Sequence, residues 1–181
     1  MKTATKNLED DHVYVLKLTE VMVAVTQTEN PDTDHISSII DIIKNFADGL
    51  HHAKEENLFF PALALKGFSA EQGPVAVMLH EHVEGRNFVK GITENLELYK
   101  KGDKSAKAGM YQNMRGYAEL LVNHIGKENN ILFRMADKVL SEKEQQELLS
   151  GFEKVENDRP AGAKTSDYIK TIVTLASFYK V

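Results

Sequence analysis

Apolar residues return every three or four positions along most of the chain, the spacing that places them on one face of an α-helix. Leu8, His12, Val15, Thr19, Met22 and Thr26 line one side of a helix predicted over 8–28. The polar run Glu29-Asn30-Pro31-Asp32-Thr33 breaks the pattern, and Asp34 is placed to cap the next helix. There Ile36, Ile40, Ile43, Ala47, His51, Glu55 and Leu58 share a side, up to an end at or just after Pro61. Pro74 opens a third helix with the stripe Val75, Met78, His82, Gly85, Val89, Ile92, Leu96 and Tyr99. A fourth, over 104–140, carries Met110, Met114, Tyr117, Leu121, His124, Glu128, Ile131 and Met135 on one face. Ser141 and Glu144 form a capping box for a shorter helix to about Phe152. A linker is expected over 157–163, and Thr165 to Tyr179 reads as a last amphipathic helix. Four long helices with short connections predict an all-α, antiparallel up-down four-helix bundle with a C-terminal helical extension. Residues 1–155 are assigned to the bundle, and 156–181 to the linker and terminal helix.

At 181 residues the chain has room for one domain and a substantial core. It has no cysteine, which removes thiolate nucleophiles, iron–sulfur ligation and cysteine-bound zinc. With 22 basic against 27 acidic residues the net charge is −5, the wrong sign for a general nucleic-acid binder. No apolar run is long enough to span a membrane. The first residues lack the apolar stretch of a secretory signal, so a cytoplasmic location is expected.

Comparison of the two halves reveals a repeat. His51-His52-Ala53-Lys54-Glu55-Glu56-Asn57 aligns with His124-Ile125-Gly126-Lys127-Glu128-Asn129-Asn130, each followed by three apolar residues. Upstream, Asp11-His12-Val13 aligns with Glu81-His82-Val83. Each half thus supplies one His from its first helix and a His-x-x-x-Glu from its second. Positions i and i+4 lie about 40° apart on an α-helix, so each pair forms a claw of one nitrogen and one oxygen donor. All six groups lie on or beside apolar stripes, where they are costly unless paired or metal-bound. Imidazole and carboxylate donors without sulfur suit iron, manganese or zinc. Two Glu able to bridge favour two ions over one.

These motifs resemble a hemerythrin-like domain of the HHE cation-binding family, over roughly residues 8–140. The strongest parts are His51 to Glu56 with Leu58-Phe59-Phe60-Pro61, Glu81-His82 with Gly85-Arg86, and His124 to Glu128. The resemblance implies a bundle holding two non-haem iron ions, oxo- or hydroxo-bridged, with His12, His51, Glu55, His82, His124 and Glu128 as ligands. It departs from the invertebrate oxygen carriers, which place two His four residues apart on the third helix. Here those positions are Met78 and Arg86, and the second claw ends in Glu128 where the carriers use Asp. Water, His52, Glu81 or Tyr117 is left to complete the coordination. Met22, Met78, Met110, Met114 and Met135 are expected near the interior.

Three functions stay open at this level. One is a di-iron protein binding dioxygen, nitric oxide or peroxide for sensing, storage or detoxification. Another is an enzyme reducing peroxide or nitric oxide, or a donor of iron to damaged iron centres. Repair proteins of the family commonly carry a cysteine-bearing N-terminal domain, which counts against the repair reading. A third is an iron- or oxygen-responsive interaction module. For it, the face of the last helix (Tyr168, Ile169, Ile172, Val173, Ala176, Tyr179) packs on the bundle, on a partner, or on a second copy in a homodimer.

Overall fold

The computed structural model describes residues 2–158 and 164–181, so most of the expected linker, 159–163, lies outside the described residues. Six helices follow one another, and no strand occurs among the described residues. They are α1 (Ala4–Val25), α2 (33–64), α3 (Pro74–Lys100), α4 (106–139), α5 (Glu142–Asn157) and α6 (Thr165–Tyr179). The first four form the up-down bundle, with α3 against α4 and α1 against α4 as major contacts. Among the described residues, no helix is long and apolar enough to cross a membrane.

Local chemistry sets the ends. Thr3 caps α1 by accepting the Lys6 N–H, and the Ser141–Glu144 capping box opens α5 as expected. The cap of α2 is Asp32 rather than Asp34, because its carboxylate reaches the Asp34 and His35 amides. Helices α3 and α4 approach closely at two glycines. The Asn113 amide donates to the Gly109 carbonyl and lies over Gly91, while Asn95 donates to the Gly91 carbonyl and lies over Gly109. A Cβ at either glycine would overlap the facing amide.

The two claw helices depart from α-geometry. In α2, Ile43–His52 and Glu55–Phe59 are π-helical, and so is Glu128–Leu132 in α4. The Phe60 amide bonds to the Glu55 carbonyl and the Phe133 amide to the Glu128 carbonyl, the same i→i+5 bond in both halves. Each wide turn advances the helix face by one residue. Ile131 and Met135, expected inside, are 52% and 37% exposed, while Leu132 and Ala136 are buried in their stead. In α2, Phe59 likewise takes the buried place expected for Leu58. π-turns of this kind recur where a helix must re-aim functional side chains.

The core divides into two apolar clusters. One runs from Val15 to Val25 through Ile36, Phe46, Met110, Met114 and Tyr117 to Ile172 of α6. The other joins Leu8, Phe59, Leu63, Met78 and Phe133 to Leu148 and Phe152 of α5. Helix α6 lies on α1 and α2, burying Ile172, Leu175 and Ala176 and leaving Val173 exposed. The bundle itself therefore covers the inner face of the terminal helix. Helix α5 runs through to Asn157, past the expected boundary at 155, and packs on α1 and the second π-segment of α2.

Candidate metal centre

Six of the predicted residues meet in the bundle interior. His12, His51, Glu55, His82, His124 and Glu128 are each at most 2% exposed. The His12 and His51 Nε2 atoms lie 2.9 Å apart, and the His82 and His124 Nε2 atoms 3.2 Å apart. The carboxylates reach across the halves: Glu128 is 3.2 Å from His12 Nε2, and Glu55 is 3.5 Å from both His51 and His82 Nε2. Two overlapping donor groups result, His12–His51–Glu55–Glu128 and His52–Glu55–His82–His124.

The surroundings of these groups suit a cation. Every inward imidazole has its other nitrogen engaged: His12 Nδ1 with Asn129, His51 with Asp11, His82 with Glu56, and His124 with Glu81. Such bonds fix the ring orientation and tautomer and leave the Nε2 lone pairs converging on the interior. All four oxygens of Glu55 and Glu128 are buried and accept no hydrogen bond. Unpartnered buried carboxylates are expensive, and a bound cation is the partner that satisfies both them and the facing nitrogens.

Electrostatics follow from this crowding. Burial and the neighbouring Glu128 push the Glu55 carboxyl well above its ordinary range. Burial acts on Glu128 in the same direction, but His124, His12 and His51 outweigh it and hold that carboxyl low. Burial drives His51 well below the usual imidazole range, and burial with the His82 charge brings His52 down to about 4. Neutral imidazoles are the form that binds metals.

The three further candidates occupy different places. His52 is buried, its Nδ1 on Asp48 and its ring stacked 3.8 Å from His82, and it belongs to the second donor group. An ideal α-helix would set it 100° away from His51, toward Asp41 and Asn45; the π-segment ending at His52 turns it inward. Glu81 lies outside both donor groups, accepting from His124 Nδ1 and pairing with Lys127. Tyr117 is buried but also belongs to neither group; it packs on Gly85. Of the expected interior methionines, Met22, Met78, Met110 and Met114 are buried, and Met135 is not.

Residues that the pattern of stripes passed over complete the site. Asp48, Glu56, Asn129 and Lys54 all act behind the imidazoles, and all but Asp48 stand inside the repeated motif. Arg86, four residues after His82, donates to both Asp48 and Glu56 and so ties together the carboxylates that hold His52 and His82. Beside it opens a pocket of ≈ 380 Å³ lined by Ile43, Asp48, His52, Gly85, Arg86, Val89 and Tyr117 among others. It provides an approach from the surface to the His52 edge of the centre.

Comparison with known proteins agrees with this architecture. The family described as hemerythrin HHE cation binding domain matches residues 3–136. A "probable iron-sulfur cluster repair protein" of Haemophilus influenzae is 30% identical over 135 residues, covering 70% of this chain and 59% of the relative. The "iron-sulfur cluster repair protein YtfE" of Escherichia coli is 34% identical over 89 residues, covering 48% of this chain and 40% of the relative. The chain thus spans about half the length of these curated relatives. No solved structure matches significantly. With the donors, their supports and the matched residues in agreement, the chain belongs to the hemerythrin HHE cation-binding family.

Proposed function

We propose that this chain is a non-haem di-iron protein that works in the maintenance of damaged iron centres. The di-iron reading rests on one observation: four carboxylate oxygens without hydrogen bonds lie among four imidazole Nε2 atoms whose opposite nitrogens are already engaged. His12 and His51 would hold one ion, His82 and His124 with His52 the other, and Glu55 and Glu128 would serve both. When bound, a pair of iron ions supplies one-electron redox chemistry and positions for a small ligand. The protein's own part is to hold the donors in the metal-binding tautomer, shield them from bulk water with Phe133 on His12 and Phe60 on His82, and offer the His52 pocket as an approach. The likeness to proteins named for iron–sulfur cluster repair supports the maintenance role, at the level of the shared domain. A cytoplasmic location belongs to this reading.

A second reading, reversible binding of dioxygen, nitric oxide or peroxide for sensing, storage or detoxification, draws support from the pocket that reaches His52. Metal analysis of protein from iron-supplied cells tests the common part. Two irons per chain, with absorption that bleaches on anaerobic reduction and returns in air, is the expected result; zinc alone overturns it. Anaerobic transfer of iron to a cluster-depleted acceptor protein then supports maintenance. Stoichiometric ligand uptake without transfer supports the second reading.

A further inference from the structure

Behind each imidazole pair stands a lysine, and the two are not alike. In the second half Lys127 pairs with Glu81 and its side chain is 38% exposed. The contacts on Glu81 are separate, His124 Nδ1 on Oε2 and Lys127 on Oε1. In the first half the Lys54 side chain is 0% exposed. There His51 Nδ1, at 3.4 Å, and the Lys54 ammonium, at 3.0 Å, share one oxygen, Oδ2 of Asp11. Both acceptor positions of that oxygen are then taken, and a stronger pull from the ammonium weakens what it offers the imidazole.

Helix α5 supplies what relieves the competition. Glu156 accepts from Lys54 at 2.9 Å, and Asn7 accepts from it at 3.1 Å. One turn earlier on α5, Phe152 is buried with its ring centroid 5.8 Å from the ammonium, closing that side to water. A buried ammonium holds its charge only when its partners balance it.

We propose that Glu156 is a positioning residue for the metal centre. By sharing the Lys54 charge it leaves Asp11 free to hold the His51 Nδ1–H, which keeps His51 Nε2 aimed inward and basic. Helix α5 lies beyond the matched residues 3–136, so this support is a feature of this chain outside the shared domain. The two halves of the centre are thereby unequal: among the described residues, only the His12–His51 half depends on a carboxylate from outside the bundle. This inference rests on the reading that the centre takes two cations.

The test is titration of Co(II) into the metal-free chain of residues 1–181, followed by visible absorption and by competition with a chelator. Two equivalents bind to the wild-type chain. In Glu156→Gln one stepwise affinity falls about tenfold, as supporting-residue losses do, while the other is unchanged. Glu156→Asp recovers most of the loss. Glu153→Gln, an exposed change on the same helix, has no effect. In a Lys54→Met background, Glu156→Gln causes no further loss, since it acts through the missing ammonium. Circular dichroism of each metal-free variant separates misfolding from loss of affinity. A wild-type chain that takes up one equivalent overturns the two-cation reading and this one with it. Two equivalents in the wild type, with Glu156→Gln unchanged or both affinities falling equally, overturns this one alone.

Discussion

Replacing Glu55 with Leu should stabilise the metal-free protein while destroying its response to metal. Glu55 is fully buried, both its oxygens lack hydrogen bonds, and its carboxyl is forced toward the neutral form by burial and by Glu128. An unsatisfied buried polar group costs about 1–3 kcal/mol, and Leu is of similar bulk without a polar atom to satisfy. A gain of about 2 kcal/mol corresponds to a rise in Tm of roughly 4–8 °C for a domain of this size. Metal reverses the order. At a free concentration a hundredfold above Kd, the wild type gains about 2.7 kcal/mol, whereas the variant, short of a shared carboxylate, gains far less. The assay is thermal unfolding by circular dichroism, with chelator and with added Fe(II) under anaerobic conditions. A Glu55→Leu protein less stable than wild type in chelator would refute the reasoning, because the carboxylate would then be contributing to the fold without a cation.

Other consequences are simpler. Gly91→Ala should cost about 1–3 kcal/mol by forcing Asn113 off the α3–α4 contact, whereas Gly126→Ala, where a Cβ meets open space, should gain about 0.5–1 kcal/mol; urea unfolding measures both. Leu175→Ala should cost about 2–4 kcal/mol in the same assay and leave metal content intact, because it hollows the contact of α6 with the bundle far from the donors. Bound metal should be released on acidification, since each donor must lose its proton to bind: Glu55 and His124, whose pKa values are raised, take up protons first, and His52, at about 4, among the last; dialysis against buffers of decreasing pH with metal analysis follows the release.

Most of the centre was legible in the sequence because it is written twice. The repeat pointed to the six residues that converge in the interior, and two copies of one motif weigh against a chance arrangement more than a single His-x-x-x-Glu does. What escaped was a matter of backbone register. Counting in steps of 100° assumes i→i+4 bonding throughout, and the π-turns at Glu55 and Glu128 break that count at the claws themselves. Ile131 and Met135 were placed inside for this reason; His52, which the same count turns away from His51, is brought in by the earlier π-segment Ile43–His52. No local composition announces an i→i+5 bond. Lys54 escaped differently: a lysine in a polar motif reads as solvent-facing, and the carboxylate that balances it lies 102 residues further on. Its match to Lys127 in the repeat was the available signal.

The crossing of contacts between the halves bears on how the molecule comes apart. His12 of the first hairpin is oriented by Asn129 of the second, and His82 of the second by Glu56 of the first. Glu55 and Glu128 reach over the same divide. Neither hairpin owns a finished half of the centre, so a bound cation acts as a clasp across the seam between them. Loss of the clasp should loosen that seam before it melts either hairpin, placing metal occupancy in control of the first fracture line of the fold.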